Sequence, residues 1–423
     1  MWLVIIKDAK IVLRNRIFDG DLQYERGKIK RIGKNLSGDE KISASGHYIL
    51  PGAVDAHVHF RDPGGTQKED FESGSIAALA GGVTTVMDMP SYSGPATTTI
   101  KALKAKLKLA KEKSCCDYAL HFGATQNNFK EVKKAGKLCA GLKMFFSKSG
   151  GGMQLSTRKA IEKHFETFNR KKPVIIHCEE EEAIPENAEE LAPSERATAR
   201  SARAMMVGIS KACILANGRK LHVAHATTAE EIDLAKSFPN VTCEVTPHHL
   251  FLSIKDLELL GNYGKTNPPL RREAERLALW NRLDSIDIIA SDHAPHTRKE
   301  KESVSAPPGV PGVETMLPLM LTAVNDGKLS LVRLCQLMCS RPAEIFGLKK
   351  KGELAVGKDA DFLIVDMNES WRLHEEDLHS KCGWSPFVNY GMKGKIRSVV
   401  LRGKEAYYDG KLLIKPGYGK LAR

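Results

Sequence analysis

Eight short runs, rich in β-branched and other apolar residues, recur along the middle of the chain at intervals filled by helix-forming sequence. They read PGAVDAH (51–57), GVTTVMD (82–88), DYALHFG (117–123), AGLKMFF (140–146), PVIIHC (173–178), KLHVAHA (220–226), VTCEVT (241–246) and IDIIASD (286–292). Near-continuous apolar character, rather than strict alternation, marks strands covered on both faces, as in a parallel sheet. Between most of them lie helical patterns such as KEDFESGSIAALA and TRKAIEKHFETFNRK. Eight buried strands alternating with helices over about 250 residues predict a (β/α)8 TIM barrel. A doubly wound open sheet uses similar alternation, but no glycine-rich phosphate loop follows the first run.

The chain ends have another texture. KIKRIGKNLSG and HYILPG near the start, and GELAVGKDADFLIVD, IRSVVLRGKEAYYDG and LLIKPG near the end, are short strands and turns. The expected organisation is therefore α/β: a barrel over 51–350, with a small flanking β-sandwich domain built from 1–50 and 351–423.

Composition excludes several classes of function. The first apolar stretch, MWLVII, stops at Lys7, short of a secretory core or a membrane span, so a cytoplasmic protein without a membrane partner is expected. Nine cysteines without a CxxC pair read as reduced, buried thiols and not as a disulfide framework or a metal cluster. The net charge of +13 raises a nucleic-acid reading, yet no basic run is interleaved with aromatics, and none is expected to bind nucleic acid. The densest lysine stretch, KALKAKLKLAKEK (101–113), reads as an amphipathic helix with Leu103, Leu107 and Ala110 inward and the lysines solvated.

The chemistry lies at the ends of the strands. Functional side chains of a (β/α)8 barrel gather at its C-terminal rim. The first run ends in DAHVHFRDPG, where His57 and His59 alternate onto one face of a strand. The fourth run carries Lys143, the fifth ends in His177, the sixth in His225 and the eighth in Asp292. One histidine on an apolar strand is ordinarily a core residue; several at successive strand ends are a ligand set suited to zinc or a similar divalent ion. Four imidazoles and a carboxylate exceed one tetrahedral site, so two metals with an anion between them are expected. A lysine there has a depressed pKa, and its neutral amine can add carbon dioxide to become a bridging carbamate. The alternative for Lys143 is an ammonium that snorkels to the rim.

DAHVHFRDPG, GLKMFF, VIIHCE, VAHAT, ASDHAPH and PPGVPGVETMLPLML together resemble the amidohydrolase superfamily, and within it the longer class of the dihydroorotase family. The resemblance spans nearly the whole chain. It implies His57, His59 and Asp292 on one zinc, His177 and His225 on the other, and carboxylated Lys143 and a hydroxide between the two Zn2+ ions. Some relatives bridge with an aspartate a few residues beyond the lysine position. MFFSKSGGGM has no acid there, which favours Lys143, with Lys148 a weaker rival. The implied reaction is the reversible closure of N-carbamoyl-L-aspartate to L-dihydroorotate in pyrimidine biosynthesis, with Asp292 as general acid and base. Arg61 would clamp the substrate carboxylate through two hydrogen bonds. The resemblance also implies that Asn267 and His296 contact substrate, and Pro308 and Gly309 in the 298–312 loop join them. Where the family carries Asn after strand two, this chain has Ser91, whose hydroxyl can still donate one hydrogen bond. The glycine-rich stretch 147–154 is a candidate lid. The rival readings are another cyclic-amide hydrolase, such as a hydantoinase or allantoinase, and a catalytically inactive assembly partner. Homo-oligomerisation, or docking to a second pyrimidine-pathway enzyme, is compatible with the sequence.

Overall fold

The computed structural model describes residues 3–90, 94–148 and 152–422. Ser91 and the middle of the 147–154 glycine-rich stretch lie outside them. The eight runs become parallel barrel strands in the expected order. They are Ala53–Val58, Val83–Asp88, Asp117–Leu120 continued as Phe122–Gly123, Leu142–Phe145, Val174–His177, Leu221–Val223, Val241–Val245 and Ile288–Ile289. Every adjacent pair is parallel, and a parallel bridge from Val58 to His293 closes the ring. Most strand residues are fully buried because the barrel interior covers one face and the helices the other.

Helices between the strands start where the local chemistry supplies a cap. Asp70 caps Phe71–Ala80 and Thr99 caps Ile100–Lys113, each accepting from backbone N–H groups of the first turn. The inward stripe of Ile100–Lys113 differs from expectation. Lys106 is buried beside Leu103 and Ala110, while Leu107 is only half-buried. Asp88, at the end of barrel strand two, draws that lysine inward as a salt-bridge partner, and its ammonium also donates to the Met89 carbonyl at 2.8 Å. The nine cysteines are all buried and unpaired. No helix among the described residues is long and apolar enough to cross a membrane.

The two chain ends join in one nine-stranded sheet. Tyr48–Pro51 pairs antiparallel with Phe362–Arg372, so the N-terminal strands and the C-terminal hairpins hydrogen-bond continuously. Its own apolar cluster includes Ile6, Ile11, Leu22, Ile49 and Phe362. The connection between Phe362–Arg372 and Gly391–Leu401 leaves this sheet and packs Trp384 against the barrel rim, where its indole N–H donates to the His296 carbonyl at 2.7 Å.

Candidate metal centre and substrate pocket

Strand one delivers His57 and His59 to the rim because the backbone there is pinned from three sides. Asp55 accepts from the amides of His57 and Ser291, both at 3.1 Å, tying strand one to strand eight. Burial pushes its carboxyl up to about 6. Asp88 accepts the Phe60 amide at 2.7 Å, and the His59 amide donates to the His293 carbonyl at 2.8 Å. Arg61, His225 and Asp292 all have left-handed backbone, with φ of 59°, 39° and 45°. Non-glycine residues hold that conformation at a cost, and such strain collects where a side chain must be aimed.

One cavity is lined by His57, His59, Lys143, His177, His225 and Asp292, with Arg61, Asn267, Pro308 and Gly309 on its wall. Asp292 Oδ1 lies 3.2 Å from His57 Nε2 and 3.3 Å from His59 Nε2. His177 Nδ1 lies 3.0 Å from His225 Nε2, and the His57 and His225 rings are 5.4 Å apart. The two groups therefore face each other across the barrel mouth. Lys143 Nζ lies in the same space, buried and without a hydrogen-bond partner among the described residues.

The tautomers decide what this cluster can hold. His57 Nδ1 is in contact with Glu244, and His177 Nε2 lies 2.9 Å from Glu179. Both carboxyls stay ionised: burial raises their pKa, but His57 and His222 outweigh it at Glu244, as do Arg200 and His177 at Glu179. A carboxylate only accepts, so each ring donates its N–H outward and turns a lone pair inward. His57 Nε2 thus points a lone pair at Asp292, and His177 Nδ1 points one at His225. Burial lowers the pKa of His59, to about 3, and of His177 and His225, so each is neutral with a single N–H. That of His59 can serve Asp292 and that of His225 can serve His177, but no proton stands between His57 Nε2 and Asp292 Oδ1. At Asp292 burial raises the pKa, but His57 and His59 outweigh it and the carboxyl is held below the usual range. A lone pair facing a carboxylate without a proton favours a cation between them, and the imidazoles and carboxylate gathered here fit a pair of divalent metals. Burial also pushes Lys143 down to about 8, within reach of the neutral amine. Lys148 is instead mostly exposed and pairs with Glu181 at 3.3 Å.

Arg61 is buried, its Nε donating to the Pro295 carbonyl at 3.2 Å. His296 stands one layer behind the wall. Lys68 donates to its Nδ1 at 3.2 Å, so its Nε2–H donates to the Pro308 carbonyl at 3.1 Å, with Arg61 Nη2 3.3 Å away. Gly309 has φ of +135°, and a Cβ there would lie 2.5 Å from the Ala294 carbonyl oxygen, so only glycine lets this wall close on strand eight. Arg196, buried, donates to Asn267 Oδ1 and, at 3.1 Å, to the Thr266 carbonyl.

The Amidohydrolase family profile matches residues 48–406. The chain belongs to this family. A dihydroorotase of Pyrococcus abyssi is 40% identical over 424 residues, covering 98% of this chain and 97% of that one. The multifunctional protein CAD of Squalus acanthias is 38% identical over 90% of this chain, which spans only 16% of that protein. Among solved structures, the L-hydantoinase of Arthrobacter aurescens superposes with a TM-score of 0.94 at 30% identity, covering all of both chains. Members of this family are hydrolases and typically metal-dependent, and the pocket holds residues that could bind a metal. Four supporting residues were not singled out from sequence: Glu244, Glu179, Asp88 and Lys106. Their signal was a charge inside or beside an apolar run, which burial makes costly unless it is paired.

Proposed function

We infer that this chain is a dihydroorotase, closing N-carbamoyl-L-aspartate to L-dihydroorotate with loss of water and catalysing the reverse hydrolysis. One observation carries this reading: a buried guanidinium, Arg61, stands in the wall of a cavity built from metal-ligand side chains. A neutral hydantoin ring has no use for it, whereas the carboxylate outside the dihydroorotate ring does. Sequence relatives that are dihydroorotases over their full length support the same choice over the hydantoinase alternative.

His57, His59 and Asp292 would hold one divalent ion, zinc by donor type, and His177 and His225 a second, with carboxylated Lys143 between them. Bound there, the pair would supply an activated water and polarise the reacting carbonyl. The chain's own groups do the rest. Arg61 and Asn267 orient the exocyclic carboxylate. Asp292, ionised before reaction, takes the proton lost by the ureido nitrogen during ring closure and passes it to the departing oxygen. In hydrolysis the same carboxylate moves the water proton to the ring nitrogen. Closure of the dianionic substrate to a monoanionic product consumes one proton, so acidic pH favours the ring. Ser91 is proposed as a further carboxylate donor, and His296 as the residue that sets the Pro308 wall.

The test is ring closure near pH 6 by zinc-loaded protein beside Arg61→Ala. Turnover in the parent that collapses in the variant through KM supports the reading. No turnover with two metals bound per chain sinks it and turns attention to hydantoins and allantoin. A cytoplasmic setting is proposed with it, and co-purification with other pyrimidine-pathway enzymes tests the association that the multifunctional relative suggests.

A further inference from the structure

Lys301 ends the short helix Arg298–Lys301 and has no solvent exposure. Its ammonium has no carboxylate at salt-bridge distance among the described residues. Instead Nζ donates to three backbone carbonyls: Gly309 at 3.0 Å, Pro307 at 3.1 Å and Lys265 at 3.4 Å. An ammonium has three N–H donors, and all three are used. The three carbonyls belong to the two segments that form the pocket wall: Lys265 lies two residues before Asn267, and Pro307 and Gly309 flank Pro308. A backbone hydrogen bond from the Gly309 amide to the Lys265 carbonyl, 2.8 Å, joins the same two segments. From beneath, the Trp384 ring faces Nζ at 5.6 Å while its indole N–H holds the His296 carbonyl.

A buried ion without a counter-ion is costly, and a methionine would fill the same volume without that cost. What the ammonium adds is a fixed separation between Asn267 and the Pro308–Gly309 wall. We propose that Lys301 is a positioning residue for substrate recognition, clamping two irregular segments so that the carboxylate-binding wall is preformed. This rests on the ring-closure reading given above. Losing three charge-assisted bonds should be felt mainly in binding, because Lys301 touches neither the metal ligands nor the reacting atoms.

Two variants and two readouts decide it. Lys301→Met should raise KM for N-carbamoyl-L-aspartate by about 10- to 100-fold, about the worth of one charged hydrogen bond passed on from the three lost in the wall, with kcat within about threefold and metal content unchanged. Amide hydrogen exchange over residues 305–310 should speed by about tenfold or more, while the helix Met316–Asn325 stays protected. Lys301→Ala should regain affinity with added ethylammonium and not with ethanol. Unchanged KM and exchange in the methionine variant would overturn the proposal. So would joint loss of metal, kcat and global protection without ethylammonium rescue, which is the signature of a purely structural lysine. Failure of the parent to close the ring would remove the reaction reading alone, since the exchange contrast still reports whether Lys301 holds the wall.

Discussion

Two clusters of buried charge sit at opposite ends of the barrel strands, and they have been resolved in opposite ways. At the N-terminal end, Asp117, Asp359 and Asp361 bring carboxylate oxygens as close together as the ligand atoms of His57, His59 and Asp292 at the other end. In the first cluster each acid is answered from within the chain. Lys351 reaches Asp361 at 2.6 Å, Asp359 at 3.0 Å and also Asp117; Arg402 contacts Asp117, and Lys28 contacts Asp359. Three cations meet three carboxylates, and the group stitches the β domain to the barrel. In the second cluster Glu244 and Glu179 take up the outward-facing nitrogens of His57 and His177, so their lone pairs face Asp292 and His225, and Lys143 Nζ has no hydrogen-bond or ion-pair partner among the described residues. Proximity of acids and imidazoles does not make a metal centre. Absence of an internal counter-charge does.

The contrast can be broken most sharply at Asp292. Asp292→Asn should lower turnover by about 10²–10⁴-fold, the usual worth of a positioned acid–base group, while thermal unfolding of the apo chain changes little. The mirror experiment is Lys351→Met. It leaves three carboxylates to two cations, with Asp361 uncompensated, and should destabilise the fold by about 3–5 kcal/mol in urea unfolding, with kcat/KM of the folded fraction retained. If Lys351→Met lost activity without losing stability, the division between the two clusters would be wrong.

The pH response separates them next. His59 and His121 are pushed down to about 3 and His248 to about 4, chiefly by burial. The unfolded chain takes up protons near pH 6.5 and the folded chain does not, so apo stability should fall as pH drops from about 6.5 towards 4. The limiting slope is about 1.4 kcal/mol per pH unit for each group. Lys351 goes the other way: burial lowers its pKa, but Asp361 and Asp117 raise it further, and it is held above its ordinary value. Its contribution is complete below pH 10.5 and lost only above that. Denaturant midpoints across pH, with and without zinc, check both limbs. The smallest effect distinguishes the two lysines on the fourth strand's side of the pocket. Lys143→Ala should lower bound metal, whereas Lys148→Ala should leave metal content within error.

Much of this was legible in the linear chain. Barrel strands buried on both faces must be apolar throughout, so PVIIHC and GVTTVMD announce themselves, and a histidine ending such a run stands out against it. Alternation along a strand put His57 and His59 on one face before any contact was known. The eighth strand was read as 286–292, yet only Ile288–Ile289 is laddered, because the chain turns out towards Asp292 in left-handed backbone. Lys106 was read as solvated because helical spacing reports a face and not what lies opposite it.

Sequence alone thus determined the barrel and marked the residues at its strand ends, with Arg61 beside them, as candidates, since strand positions follow from local periodicity and a polar group in an apolar run is costly to bury. Tertiary structure decided which nitrogen of each histidine faces inward, that Glu244 meets His57 across 187 residues of chain, and that Lys301 bridges Lys265 to Gly309. Those outcomes depend on pairing between distant segments, and a hydrogen bond has no periodicity by which one strand can name its partner in another.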